Sequence, residues 1–353
     1  MHDSLAKTLE HFPVLKSRLY KTHENGFAFS VTDNGLDFSV RESKEPFQTN
    51  GSIEDYITPV RTQENEPLTR VVLTNTPDGC VLAVSISHAL VDGFSFFHFM
   101  SCWARITRGE RFLSPHIPRD IFTQYIQQVE NEITPKSIYE QCGLFYGERR
   151  GAQPAKSLIP EREFIQHDTI KKYIEEIKQT HNTPVSENDV VTAHLWKKYL
   201  PEWTKESSDE KVYITCPFDF RRVLSGFPKN YFGCALSFAT AETTRDHLIN
   251  ASIGDIAVLI KKSVSAVKEE YIRRSLSVLD TFRRQKGTGE MDRIHLRHPQ
   301  RGMIVTNVSR LPLGDLDLGS GRPDNYLTYA EIGQSAAILP ANDGLETYVV
   351  FFP

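Results

Sequence analysis

Cysteine is sparse in this chain of 353 residues: five, an odd number, at Cys80, Cys102, Cys142, Cys216 and Cys234. None forms a CxxC pair, so neither a disulfide framework nor a zinc knuckle is written into the sequence. Free and mostly buried thiols in a reducing compartment are the plain expectation, and the chain is read as cytoplasmic. No apolar run approaches the roughly 20 residues that span a bilayer. The opening MHDSLAKTLEHF carries acids and no apolar stretch, which argues against a signal peptide. Charge of one sign is also missing. A net charge of −4 offers no global attraction for nucleic acid or an anionic membrane, and neither is expected as a partner. There is no Gly-rich phosphate loop, since Gly287-Thr288-Gly289 lacks the strand and the spacing. His295 and His298, three apart, can share a helix face, but no third ligand completes a metal spacing, and no metal is expected. Internal repeats and low-complexity tracts are absent.

What is present is ordinary globular composition, 39% hydrophobic and 24% charged. The length favours two domains. Leu5, Leu9, Phe12, Leu15 and Leu19 have helical spacing across 4–20, with Pro13 a break. Phe27–Val31 and Leu36–Val40 flank Asn34-Gly35 and predict a hairpin. Leu68–Thr74 and Val81–Ser87 predict a second strand pair, and the aromatic run Phe94–Ile106 a buried helix. Residues 147–163 are charged and rich in Gly, Pro and Ala. They set a domain division of 1–150, a crossover linker at 151–163, and 164–353. In the second half, helices are expected over 168–179, 186–200 and 248–280, with Ser186 as N-cap of the second. Strands are expected at 212–217, 232–239, 302–306, 327–331, 335–339 and 346–352. Strands and helices mix without strict βαβ alternation, which predicts two α/β layered domains.

The stretch VLAVSISHALVDGF, Val81–Phe94, carries the chemistry. It reads as a core strand ending at His88, a tight loop, and Asp92-Gly93 opening the helix. A neutral imidazole there can take a proton from an alcohol or amine. Asp92 admits two roles, orienting His88 or bracing the loop through a buried arginine. The second is preferred, because a side chain four residues on across a tight loop need not face the ring.

Six ordered segments resemble the BAHD-type acyltransferases, relatives of the chloramphenicol acetyltransferases and of the condensation domains of nonribosomal synthetases. SISHALVDGFS is similar to the HxxxD(G) segment, and SLAKTLEHFPVLKSRL to the N-terminal "SLS.TL..FYPLAGRL" helix. SENDVVTAHLWK, FDFRRVLSGFPKNYFGCAL, VTNVSRLPLGDLDLGSG and ILPANDGLETYVVF resemble, in turn, the "AHLW" opening of the second half, "D.R.R..PPLP..YFGN", "SSW.RLP....DFGWG" and the closing "DGG.EVWV.L" strand. The likeness runs from Ser4 to the end.

The resemblance implies two chloramphenicol-acetyltransferase-like α/β domains with the active-site tunnel between them, and a segment around 315–337 crossing to the first domain. It implies transfer from an acyl-CoA, as co-substrate rather than cofactor, to a small-molecule alcohol or amine in a ternary complex. His88 is then the general base. Gly93 and Asp317 are structural at the site, and Arg221 is the partner of Asp92. The segment is one residue short, so counting from Tyr231-Phe232-Gly233 favours Arg222 instead. Thr306 and Asn307 stand where an oxyanion donor is expected. Arg221, Arg222 and Lys229 are the cations available to CoA phosphates. Departures are Leu318 and Ser320 for the Phe and Trp of DFGWG, Val308 for the Trp before RLP, and Cys234 for the Asn of YFGN. Members of the family usually carry a further strand before the first helix, whereas Met1 stands almost at it, so either the chain is a compact variant or the first sheet has an exposed edge; a monomer is expected, with a dimer through such an edge the alternative. Two other readings stay open: a condensation-type enzyme taking its acyl group from a carrier protein, and a non-catalytic binding protein that kept the fold.

Overall fold

In a computed structural model the described residues are 1–23, 26–48, 53–61, 63–149, 160–203, 209–311, 316–328, 333–340 and 346–352. The chain divides into two compact units. The first holds Met1–Ile121, Gly226–Ala235 and Leu311–Tyr329; the second holds Phe122–Ser225, Leu236–Arg310 and Ala330–Pro353.

The first unit begins with α1 (His2–His11), β1 (Ser17–Lys21), β2 (Phe27–Val31), β3 (Asp37–Glu42), β4 (Thr69–Thr76), β5 (Gly79–Ile86) and α2 (Gly93–Thr107). The expected helix over 4–20 stops at His11. Pro13 opens a 3-10 turn, and the chain then extends into β1, where Ser17 and Leu19 are buried and Tyr20 is exposed. The four-residue step from Leu15 to Leu19 masked this period-two pattern. The expected hairpin is replaced for the same reason. β2 pairs antiparallel with β1, so it is not free to pair with β3, which instead runs parallel to β4. β4 and β5 form the expected antiparallel pair, Thr69 opposite Ile86. The core packs Phe12, Leu15 and Leu68 against Phe99 and Trp103 of α2, with Phe232 from the returning segment among them. The Trp103 Nε1–H donates to Ser4 Oγ at 3.1 Å, which ties α2 to α1.

The second unit contains α3 (Pro135–Cys142), β6 (Phe145–Tyr146), β7 (Glu161–Gln166), α4 (His167–Thr180), α5 (Glu187–Trp203), β8 (Lys211–Asp219), β9 (Leu236–Thr244), α6 (Arg245–Asn250), α7 (Ile253–Ala266), α8 (Glu269–Lys286), β10 (Ile294–His295), β11 (Gly302–Asn307), β12 (Ser335–Pro340) and β13 (Glu346–Phe352). Six strands make one sheet in the order β7-β13-β12-β11-β8-β9. β11 lies parallel to both neighbours and the other pairings are antiparallel. Helices α5 and α7 pack together on one face. Ser186 caps α5, accepting from Asp189 N–H at 3.4 Å while the Asp189 carboxylate accepts back from Ser186 N–H at 2.8 Å.

The sequence reading set a boundary near residue 150; here 122–149 lies with the second unit, because α3 packs on α8 and β6 pairs with β10. Of the linker at 151–163, residues 151–159 lie outside the described residues, and Glu161 already begins β7. The strand expected at 232–239 is displaced to Leu236–Thr244, since Tyr231–Ala235 belongs to the first unit. The strand expected at 327–331 falls largely outside the described residues. Among the described residues no helix is long and apolar enough to cross a membrane.

His295 and His298 do not share a helix. His295 ends β10, and His298 sits in the turn into β11, stacked on Tyr213 at 5.1 Å and edge-on to Phe145. Its Nδ1 accepts from the backbone N–H of Gln300 and Arg301. The turn is tight: a Cβ on Gly302 would meet His298 N at 2.5 Å. Burial first, then the Arg301 and Arg297 charges, lowers the His298 pKa from 6.5 to about 4. A depressed imidazole contributes stability that is present above pH 6.5 and is lost as pH falls toward 4. The low carboxylates Glu163 and Asp255, both held at about 2, titrate lower in the folded state and lose their contribution below the ordinary carboxylate range. We expect Tm to fall between pH 6.5 and 4.5, and His298→Asn, which keeps an acceptor in place, to flatten that slope. Equal slopes in a thermal melt series would refute this.

Candidate active site

β5 ends at Ile86, and His88 stands two residues further on, in a turn rather than at the strand end. The turn is fixed at both sides. Ser87 N–H donates to Leu68 O at 2.9 Å and Leu90 N–H to Ser87 O at 2.9 Å. Leu90 and Val91 are buried in the core, while His88 and Ala89 are exposed. Burying two apolar side chains on one side of so short a turn forces the imidazole outward. Among the described residues its ring makes no hydrogen bond. Arg119 adds a brace that sequence reasoning missed. Its Nη2 donates to Leu90 O at 3.1 Å and its guanidinium lies over the Phe29 ring at 5.3 Å. No spacing signal pointed to it.

Asp92 is 1% exposed. It is the N-cap of α2, its Oδ1 accepting from Ser95 N–H at 2.9 Å, while Oδ2 accepts from Ala235 N–H at 2.9 Å. An Asp directly before an apolar helical run is an N-cap signal that the sequence carried. Gly93 is the first helical residue. Asp317 Oδ1 accepts from Gly319 N–H at 2.7 Å and Gly321 N–H at 2.9 Å, and both glycines have φ near +100° (101° and 103°), so the side chain closes a turn. The Asp317 carbonyl also accepts from Arg108.

In the second unit, Arg221 binds Asp219 through its backbone N–H at 2.9 Å and Nη1 at 3.0 Å. Its side chain is 1% exposed, which removes it from the cations open to a solvent-borne phosphate. Arg222 of the second unit and Lys229 of the first are exposed. Thr306 and Asn307 end β11. Successive side chains of a strand face opposite sides of the sheet, so these two do not share a face. Asn307 Nδ2 donates to Asn188 Oδ1 at 2.7 Å on the α5 side, and its Oδ1 accepts from Ser309 N–H at 2.9 Å and Oγ at 2.6 Å. That amide is committed to the turn. The Thr306 hydroxyl is half-buried, with no hydrogen-bond partner among the described residues.

All five cysteines are free. Burial pushes the thiols of Cys102, Cys142 and Cys216 up to about 12, far from nucleophilic. Among the described residues no group of three or more His, Cys, Asp or Glu converges to hold a metal ion.

A mixed α/β chain with an exposed histidine on a braced HxxxD turn defines a class, and comparison with known proteins gives the family. The Transferase family model matches residues 1–352. The chain belongs to that family, the BAHD acyltransferases. It is similar to a hydroxycinnamoyl-CoA:5-hydroxyanthranilate N-hydroxycinnamoyltransferase of Avena sativa, 26% identical over 69% of this chain and 55% of the relative. It is also similar to anthranilate N-benzoyltransferase protein 1 of Dianthus caryophyllus, 23% identical over 79% of this chain and 63% of the relative. In these two matches the chain spans less than two thirds of its relatives' length. Among solved structures, F. sporotrichioides TRI101 complexed with coenzyme A and T-2 covers 99% of this chain and 85% of its own, with a TM-score of 0.76 and 15% identity. Vinorine synthase covers 99% and 79%, with a TM-score of 0.69 and 16% identity. These likenesses carry the two-domain chloramphenicol-acetyltransferase-like α/β fold.

Proposed function

We propose that this chain is an acyl-CoA-dependent O- or N-acyltransferase with His88 as its general base. The imidazole removes the proton of an acceptor hydroxyl or amine, and the acceptor attacks the thioester carbonyl directly. Thr306 is the proposed donor to the oxyanion of the tetrahedral intermediate. Collapse expels the CoA thiolate, which takes the proton back from His88. Acyl-CoA is a co-substrate, and no cofactor enters these steps. Arg222 and Lys229 are the proposed contacts for its phosphates, since both are exposed. Five free thiols suit a reducing compartment, and the cytoplasm is the proposed setting.

The observation that carries the reading is the exposed His88 imidazole, free of protein hydrogen bonds among the described residues, on an HxxxD turn in which Leu90, Val91 and Asp92 are buried. Named relatives transfer hydroxycinnamoyl and benzoyl groups to amines, which supports both the donor type and the acceptor type. The test is mass spectrometry after incubation with acetyl-, benzoyl- and coumaroyl-CoA and a metabolite extract, alongside a thermal shift with free CoA. Acylated products and a CoA-dependent rise in Tm are expected. Product from no donor, with no shift, would overturn the reading. Acylation only from a phosphopantetheine carrier would replace it with the condensation-type alternative.

A further inference from the structure

The sequence pattern singles out His88 and Asp92, but a third residue shares the local hydrogen bonding with Asp92. Ser95 is fully buried, three residues into α2 from its cap. Its Oγ donates to Gly233 O at 2.8 Å and accepts from Gly233 N–H at 3.0 Å. One hydroxyl thus satisfies both backbone groups of a single residue, 138 positions away in sequence. Asp92 completes the contact. Its N–H donates to Gly233 O at 3.2 Å, and its Oδ2 accepts from Ala235 N–H at 2.9 Å. The start of α2 and the segment Tyr231–Ala235 are therefore joined by four buried hydrogen bonds. The segment is held from its other side too: Phe232 N–H donates to His116 O at 2.8 Å, and the Phe232 ring packs edge-on against Phe12 at 4.9 Å. Gly233 is required there, because a Cβ would meet the Tyr231 hydroxyl oxygen at 2.5 Å.

We propose that Ser95 is a positioning residue for His88, acting through Gly233. The proposal rests on the reading of His88 as the base. The turn bearing the imidazole is suspended between two backbone bonds, Ser87 N–H to Leu68 O and Asp92 N–H to Gly233 O. The acceptor of the second bond, Gly233 O, is the atom that Ser95 Oγ also grips. Removing the hydroxyl takes away the acceptor that Ser95 offers the Gly233 N–H, and a buried donor that loses such a partner drives the backbone to shift toward another. Any movement of Gly233 shifts the anchor of Asp92 and, four residues back, the imidazole. A base displaced by about 1 Å from its working geometry loses on the order of 10²-fold in rate. A residue that merely filled space would lower stability and leave turnover per folded molecule unchanged.

Wild type, Ser95→Ala, Ser95→Thr and His88→Ala are compared as full chains in two measurements. The first is hydrogen–deuterium exchange followed by mass spectrometry without ligand, on peptides covering 84–92 and 229–236. Ser95→Ala is expected to speed exchange in both peptides, and Ser95→Thr, which keeps the hydroxyl, to restore protection. The second is CoA-thiol release from benzoyl-CoA with mixed alcohol and amine acceptors. Ser95→Ala is expected to lower kcat at least ten-fold with KM changed by less than about three-fold, and Ser95→Thr to recover most of it. Unchanged exchange over 84–92 in Ser95→Ala overturns the coupling, as does a Thr variant no better than Ala. Full turnover in His88→Ala overturns the assignment of the base while the exchange data still judge the clamp. Should Ser95→Ala not fold, Ser95→Cys, with its weak donor and acceptor, is read in the same way.

Discussion

His88→Ala is expected to lower acyl transfer by about 10²–10⁴-fold while leaving the folded protein as stable as wild type. The rate figure is what a positioned general base supplies, and corresponds to about 3–5 kcal/mol of barrier. The stability figure follows from exposure. His88 projects from the turn and makes no hydrogen bond among the described residues, so truncating it removes little and buries nothing new. Surface substitutions of this kind stay within about 0.5 kcal/mol. Initial rates with a responsive acyl-CoA, together with a urea melt, check both halves. A variant that retains full turnover removes the proposed mechanism, and one that fails to fold shows that the imidazole is a structural group.

Asp92→Asn is expected to do the opposite. Asn keeps an acceptor for Ser95 N–H, so the helix cap survives, but its NH₂ then faces the Ala235 N–H where a carboxylate oxygen accepted at 2.9 Å. Two donors facing each other in a buried site cost about 1–3 kcal/mol. Asp92→Ala loses the cap as well, about 1 kcal/mol more. The urea midpoint should fall with an unchanged m-value, while turnover per folded molecule falls less than ten-fold. A collapse of turnover at an unchanged midpoint would return Asp92 to the role of orienting the base. The paired result separates the two polar residues of one motif: the histidine is dispensable for folding and needed for rate, the aspartate the reverse.

Much of this was legible in the sequence because short-range chemistry dictates it. β4 and β5 flank Pro77-Asp78, and α2 is an unbroken aromatic run; both form where expected. The errors came where tertiary partners decide. Asn34-Gly35 is a turn, with Gly35 at φ +69°, yet β2 was taken by β1 and no hairpin forms. Leu15 and Leu19 fit a helix period, but Pro13 and the burial of Ser17 and Leu19 made a strand of 17–21. At the site, His88 and the structural character of Asp92 could be argued from spacing. The clamp at Ser95 could not, because its partner lies 138 residues downstream. Arg119 and the commitment of Asn307 to Asn188 are likewise invisible without the fold.

The first unit is assembled from three separate stretches of chain, Met1–Ile121, Gly226–Ala235 and Leu311–Tyr329. During synthesis this imposes an order. When residue 121 has left the ribosome, the turn bearing His88 still lacks Gly233 and Ala235, and at about 5–20 residues per second those arrive roughly 5–25 s later. Until then the Ser95 hydroxyl lacks the backbone of Gly233, Asp92 Oδ2 lacks the Ala235 N–H, and Phe232 has not joined the core. The turn bearing His88 is therefore among the later parts of the first unit to become native, although its residues are synthesised within the first quarter or so of the chain. The nascent N-terminal unit must wait, with part of its apolar core uncovered, for the second unit's sequence to be made.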